Sequence, residues 1–253
     1  VNRDLHQHDL TPAAATAFAA SVAIKPDQAV LEVGAGRGNL AAALLKAGAQ
    51  VTAIEIDPER AAHLRERFGD KETFTVAEGD ALHLAPEMPA DWRIIANPPF
   101  NLTAPLFKRW LTTDFPGGPP SAIDLVLQQQ TAAKLTPQPG SYTHSSVLAA
   151  LFGAARITRK LKRDDVFPSS HVPLSSWSLK RNADAPTPTE LKRIDQLLKS
   201  GFSGVHRMRD GLRGTLTTPQ MKRQGSENGW RLEDHPRTVE PAAWRAIAEF
   251  LTR

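Results

Sequence analysis

From Ala29 to Arg181, short apolar runs alternate with stretches of helical period, and that rhythm leaves few folds open. Ala29–Val33, Val51–Ile54, Thr73–Val76, Trp92–Ala96 and Ala122–Gln129 read as strands, with two more at Ala155–Leu161 and Ser175–Arg181. Between them, Leu40, Leu44 and Ala47 recur on one helical face. Ala61, Leu64 and Phe68 do the same, as do Leu102, Leu106 and Trp110, and a further helix is expected near Ser145–Phe152. Pro58 suits a first helical turn, Gly48 a helix end, and Gly117-Gly118-Pro119-Pro120 a loop. Strands and helices in this order predict an α/β fold: a mostly parallel, Rossmann-like sheet with helices on both faces.

The pattern changes near the C-terminus. Asn182–Pro188 reads as a linker, and Thr187-Pro188-Thr189-Glu190 fits a capping box with proline at the first helical position. Leu191, Ile194, Leu197 and Leu198 would form that helix's buried face, and Trp244, Ile247, Ala248 and Leu251 that of a last helix. The expected division is therefore a sheet domain over 1–182 and a small helical domain over 183–253.

Composition excludes several chemistries. The chain of 253 residues has no cysteine, so disulfides, thiolate metal sites and a cysteine nucleophile are ruled out. No apolar run reaches the length of about 18 residues that spans a membrane, and Val1–Asp4 lacks the pattern of a secretory signal. A cytoplasmic protein is expected, and no metal site is. The net charge of +4 is uneven. Residues 1–155 hold 12 Lys and Arg against 16 Asp and Glu, whereas residues 156–253 hold 19 against 11. The densest stretch contains Arg156, Arg159, Lys160, Lys162 and Arg163, a surface suited to a polyanion.

Four local signals fall at strand ends. Gly34, Gly36 and Gly38 follow the first strand and open a helix, as in loops that let a backbone approach a nucleoside cofactor closely. No Gly-Lys-Ser/Thr follows, so this is not a P-loop. Glu55 ends the second strand, 21 residues after Gly34, where an acid can accept both ribose hydroxyls. These two signals leave a nicotinamide dinucleotide or S-adenosylmethionine open. Asp80, in Gly79-Asp80-Ala81, can accept from an adenine amino group. Asn97-Pro98-Pro99-Phe100 then ends the fourth strand. Two prolines fix the backbone and remove two N–H donors, which leaves the Pro98 carbonyl able to accept from a ligand. With the Asn97 side chain it offers two acceptors to one amino group, and Phe100 offers a ring for stacking. Methylation of an exocyclic amine needs that set, and hydride transfer does not.

With these motifs in place, the chain resembles the Class I S-adenosylmethionine-dependent methyltransferases that methylate adenine N6 in ribosomal RNA. That family includes the erythromycin-resistance (Erm) enzymes and the small-subunit rRNA adenine dimethylases. The resemblance rests on Leu31-Glu-Val-Gly-Ala-Gly-Arg-Gly-Asn-Leu40, Ala53-Ile-Glu-Ile-Asp-Pro58, Glu78-Gly-Asp-Ala81 and Asn97-Pro-Pro-Phe-Asn-Leu102. It implies Gly34 and Gly36 beneath the cofactor, Glu55 on its ribose, Asp80 on its adenine and Asn97 touching both cofactor and target amine. It further implies His8 and Leu10 in the cofactor site, because Gln7-His8-Asp9-Leu10 stands where relatives carry Gln-Asn-Phe-Leu. Val166–Val172 resembles a later phenylalanine-proline motif, which places Phe167 as a wall of the target base. Relatives usually carry Asn-Ile/Leu-Pro-Tyr/Phe at the catalytic turn, so Pro98 is a departure, one that DNA adenine enzymes share.

The resulting expectation is a monomeric enzyme acting on 23S rRNA and conferring macrolide-type resistance, with Asn97, Pro98 and Phe100 as its catalytic set. The Erm-like tail, including Pro241-Ala-Ala-Trp244, favours 23S RNA. The alternatives are a small-subunit rRNA or DNA adenine methyltransferase, and a catalytically silent RNA-binding protein of the same fold. Arg3, Lys108, Arg109, Lys134, Lys160 and Arg163 are expected on RNA phosphates, with a second basic group at Arg207, Arg209, Arg213, Lys222 and Arg223.

Overall fold

The computed structural model describes residues 8–252. Arg3 and Gln7 lie outside the described residues. In chain order the elements begin β1 (Asp9–Leu10), α1 (Pro12–Ser21), β2 (Ala29–Val33), α2 (Asn39–Lys46), β3 (Gln50–Glu55), α3 (Pro58–Phe68), β4 (Phe74–Glu78) and β5 (Arg93–Ala96). They continue with α4 (Thr103–Thr112), β6 (Ala122–Gln128), α5 (Gln129–Leu135), α6 (His144–Phe152), β7 (Gly153–Leu161), β8 (Val166–Phe167) and β9 (Leu174–Arg181). The tail holds α7 (Pro188–Gly201), α8 (Met208–Gly211), α9 (Thr218–Asn228) and α10 (Pro241–Phe250).

The main sheet has seven strands in the order β4-β3-β2-β5-β6-β9-β7. The first five are parallel, and β9 runs antiparallel to β6. The chain leaves β2 for β3 and β4 on one side, then returns to β5 on the other. The strand order therefore reverses between β2 and β5, the point where open α/β sheets bind ligands at their carboxyl edge. Every residue of β2 is buried, as are Ile94, Ile95, Leu125, Val126 and Leu127. Continuous apolar burial of this kind is what a sheet covered on both faces demands.

Helix starts follow from capping chemistry. Asp57 accepts from the Glu59 N–H at 2.9 Å ahead of Pro58, opening α3. Thr187 and Glu190 form the expected capping box on α7. The sequence reading did not include α1, α5 or α9. In α1, apolar residues fill nearly every position, so no polar face marks a period. α9 has the opposite character, with Met221 as its one large apolar residue.

The chain divides into two compact units. The first gathers the chain up to Trp110 with Asp114–Ala133 and Arg156–Lys180. The second gathers Leu111–Thr113, Lys134–Ala155 and the chain from Arg181 onward. A boundary at 182/183 leaves Lys134–Ala155 with the sheet, but α6 packs on α7 and α10 and so belongs with the tail helices. No helix among the described residues is long and apolar enough to cross a membrane.

In the second unit, Phe202 lies between His144, at a ring distance of 6.2 Å, and the buried Trp244, at 5.7 Å. A Cβ built on Gly201 would fall 2.4 Å from the Trp244 ring. Overpacking of this kind costs about 1–3 kcal/mol. Gly201→Ala is therefore expected to lower the midpoint of denaturant unfolding followed by tryptophan fluorescence, and an unchanged midpoint would contradict the packing described here.

Candidate active site

Two turns meet at the point of strand reversal. The first follows β2, where Gly34 and Gly36 adopt φ of +73° and +56°, a region that side chains with a Cβ rarely enter. A Cβ on Gly34 would sit 3.3 Å from the Pro99 ring, and one on Gly36 would strike the Asp9 carboxylate. The second turn follows β5. The Pro99 carbonyl accepts from the Leu102 N–H at 2.9 Å and starts the short helical turn Phe100–Leu102, which sets the Phe100 ring beside Asn97 and the buried Pro98.

Asn97 is fixed by the N-terminal segment. Its Nδ2 donates to the His8 carbonyl, and its Oδ1 is buried with no partner among the described residues. The His8 ring stacks on Phe100 at 5.6 Å and 24°, and His8 Nδ1 lies 2.6 Å from the Pro168 carbonyl. Asp9 forms ion pairs with Arg37 at 3.5 Å and Arg60 at 4.0 Å. β1 pairs antiparallel with β8, Asp9 opposite Phe167 and Leu10 opposite Val166, which ties the segment across the site. The space left among His8, Asp9, Gly34, Arg60 and the Asn97–Phe100 turn is about 10 Å³.

The acids line the same edge. Glu55, only 1% exposed, accepts from the Gly36 N–H at 2.9 Å and the Asp57 N–H at 3.1 Å. Asp80 accepts from the Leu82 N–H at 2.8 Å through one oxygen, and its other oxygen lies 3.7 Å from His83 Nε2. The structure thus gathers Gly34, Gly36, Asn97, Pro98, Phe100 and His8 around the two turns, and holds Glu55 against the glycine loop. Leu10 is buried, lining a small cavity with Glu32, Gly34 and Asn97.

Two expected substrate residues are placed differently. Phe167 does not line the Asn97–Phe100 corner. Its register opposite Asp9 turns the ring into a neighbouring groove beside Arg37. Arg109 is half-buried and donates to the His83 and Leu84 carbonyls, both at 3.0 Å, so its guanidinium holds a loop rather than facing a phosphate. Lys160 and Arg163 are exposed, and Arg163 also donates to the Ser170 carbonyl at 3.3 Å. In the tail, carboxylates compensate most of the basic group: Arg207 and Arg213 pair with Asp210, Arg209 with Glu233 and Arg223 with Glu227.

Sequence reasoning passed over Glu32 and Ile56. Glu32 is a lone charge inside a buried strand, and that isolation was the available signal. Its Oε2 has no partner among the described residues, and burial, then the neighbouring Glu55, push its carboxyl well above the ordinary value of 4.5. Ile56 is 53% exposed directly after Glu55, an apolar surface at the carboxyl edge of β3. The raised Glu32 carboxyl has a consequence for stability. The folded state binds a proton there that the unfolded chain releases near pH 4.5. Its contribution is full below that pH and is lost as pH rises toward the folded-state value. Glu32→Gln is expected to unfold at a higher temperature than the parent at pH 7–8, with the gap closing below about pH 4.5 in a calorimetric pH series.

Comparison with known proteins places this geometry in a family. A family model described as ribosomal RNA adenine dimethylase matches residues 10–220. The ribosomal RNA small subunit methyltransferase A of Synechococcus sp. (strain WH7803) is 31% identical over 244 residues, covering 90% of this chain and 85% of that protein. The protein of the same name from Prochlorococcus marinus (strain MIT 9313) is 31% identical over 263 residues, covering 98% and 92%. Among solved structures, the 23S rRNA methyltransferase ErmE shares the fold with a TM-score of 0.71 at 23% identity, covering 97% of this chain and 100% of ErmE. A dimethyladenosine transferase from Plasmodium falciparum gives 0.76 at 19% identity, covering 97% and 98%. With a family model matching most of its length at the β2 and β5 turns and beyond, this chain belongs to the ribosomal RNA adenine dimethylases, a family of S-adenosylmethionine-dependent Class I methyltransferases.

Proposed function

We propose that the protein methylates the N6 amino group of an unpaired adenine in small-subunit ribosomal RNA. The observation that carries this reading is Asn97. Its amide is held at the nitrogen end by the His8 carbonyl, and its buried oxygen is left to accept from another molecule. A buried acceptor without a partner costs about 1–3 kcal/mol, so a ligand that donates to it regains that free energy. The names of the curated relatives support the small-subunit RNA. The 23S RNA and macrolide resistance, expected from the resemblance of the tail, take second place and form the control arm of the test.

When bound, S-adenosylmethionine supplies a methyl group on a positively charged sulfur. The residues present fit it. The glycine turn permits close backbone approach, Glu55 offers carboxylate oxygens at the ribose position and Asp80 an oxygen toward the adenine. Ile56 offers an apolar face beside them. On the target side, the N6 lone pair is delocalised into the purine ring and is a poor nucleophile. Asn97 Oδ1 and the Pro98 carbonyl accept its two N–H groups, draw the nitrogen toward tetrahedral geometry and stabilise the positive charge that develops. Phe100 replaces the stacking that the extruded base gives up. His8 now covers that ring, so its side chain swings aside as the base enters. One chain supplies every group invoked, in keeping with a monomer, and ribosomal RNA as substrate implies work in the cytoplasm.

The test uses tritium-labelled S-adenosylmethionine with transcribed small-subunit and 23S rRNA, followed by digestion and identification of the methylated nucleoside. The expected product is N6-methylated or N6,N6-dimethylated adenosine from the small-subunit RNA. Asn97→Ala is expected to lower kcat about a hundredfold or more, by analogy with loss of one preorganised polar contact in other active sites. Phe100→Ala is expected to raise KM for RNA about 5- to 100-fold, from the loss of base stacking worth about 1–3 kcal/mol. Transfer to 23S rRNA alone would reverse the choice of substrate. Cofactor binding with no transfer to either RNA would identify a silent RNA-binding protein.

A further inference from the structure

We propose that a groove beside the catalytic corner, lined by Arg37, His63, Arg67 and Phe167, holds the RNA strand next to the target adenine. In this assignment, the two arginines take backbone phosphate and Phe167 stacks on a flanking base. The assignment rests on the methyltransferase reading above and gives that reading a second subsite.

The groove is open to solvent and offers about 690 Å³, within the range of about 300–1,000 Å³ usual for sites that hold a small organic group. The Asn97 corner, at about 10 Å³, is far smaller. Local structure explains why Phe167 stands in the groove. β8 alternates, with Val166 buried at 1% and Phe167 58% exposed, so pairing with β1 turns one side chain inward and the next outward. A single exposed apolar side chain is ordinary on a protein surface, and what sets Phe167 apart is that its ring shares a groove with two arginines. The Arg37 guanidinium lies 5.3 Å above the ring but is itself 64% exposed, so the ring keeps a large open area.

The basic side chains converge from two elements. Arg37 belongs to the glycine turn, while His63 and Arg67 lie four residues apart on α3 and so share one face. Arg67 donates to the Arg37 backbone carbonyl, which ties the Arg67 side chain to the glycine turn. The acid lining the groove is Asp9, already shared between Arg37 and Arg60. A phosphate can replace Asp9 at Arg37 while Asp9 keeps Arg60. Asp9 lines the Asn97 corner as well, so the groove begins where the catalytic site ends. A ring face with two arginines lining the same groove is the combination that single-stranded nucleic acid selects: stacking on the base and charge on the backbone.

The experiment measures binding of transcribed small-subunit rRNA to the full chain as a function of salt, for the parent, Arg37→Gln, Arg67→Gln and Phe167→Ala. Each arginine variant is expected to flatten the slope of log K against log salt by about 0.7, the value for one phosphate contact to a single strand. Phe167→Ala is expected to weaken binding about 5- to 100-fold with the slope unchanged. Affinity for S-adenosylmethionine and the unfolding midpoint are measured alongside, and both are expected to stay within about twofold and a few degrees of the parent. Unaltered slopes in both arginine variants would overturn the groove. So would a loss of cofactor affinity equal to the loss of RNA affinity, because the turn would then be serving the cofactor. Normal RNA binding with reduced transfer only into assembled small subunits would point to a protein partner, and would overturn it too. The readout needs no methyl transfer. A parent protein that binds RNA with a steep salt dependence but transfers nothing would remove the enzyme reading, while the slopes would still decide the groove.

Discussion

The contact of the Gly34 turn with the Pro99 ring organises the rest of the site. These turns leave adjacent parallel strands, β2 and β5, whose register is fixed by Val30 opposite Arg93 and Leu31 opposite Ile94. Both strands are buried, so slippage by one residue would carry apolar side chains to the wrong face. The separation of the turns is therefore inherited from the sheet rather than from the loops. A side chain at residue 34 would meet Pro99 at 3.3 Å and also require an unfavourable φ. Glycine on one side and proline on the other give a corner whose two walls have little freedom, as preorganised acceptors require.

The N-terminal segment completes that corner. By accepting from Asn97 Nδ2, the His8 carbonyl decides which end of the amide is left without a donor among the described residues. The bond comes from the backbone, so it survives a change of side chain at residue 8. Replacement of the family's aromatic residue by Asp9 brings a carboxylate to the glycine turn, where Arg37 and Arg60 meet it. The two acids beneath that turn are equally buried but differ in their hydrogen-bond donors. Glu55 receives two backbone N–H groups, whereas Glu32 keeps one oxygen without a donor beside Glu55, and so Glu32 is the acid held toward its neutral form.

Much of this was legible before any coordinates. The seven strands of the main sheet fall within two residues of their expected bounds, most clearly where an apolar run stops at a glycine or an acid, as β2 does at Gly34 and β3 at Glu55. The strand-end motifs fall at one edge of the sheet because parallel strands all end on the same side. What escaped was of two kinds. α1 and α9 lack a contrast between faces, one apolar throughout and the other polar, so periodicity had nothing to detect. The placements of Phe167 and Arg109 depend on long-range partners. β8 meets β1 across more than a hundred and fifty residues, and Arg109 finds the carbonyls of residues 83 and 84. Single-sequence patterns carry no information about either.

Charge was the least transferable signal. The excess of Lys and Arg after residue 155 suggested a basic tail, yet four of its arginines face carboxylates within 3.8 Å. Exposed pairs of that kind add little stability, but they lower the local field available to a polyanion. Arg37 and Arg67 lie in the half of the chain that is acidic overall. Their neighbours are a backbone carbonyl, the rings of Phe167 and Phe68, and one acid already shared with Arg60. What attracts a phosphate is the field of the groups around a groove, and a count of charges along the sequence does not resolve it. The acidic half can therefore carry an RNA contact while part of the basic half is occupied with itself.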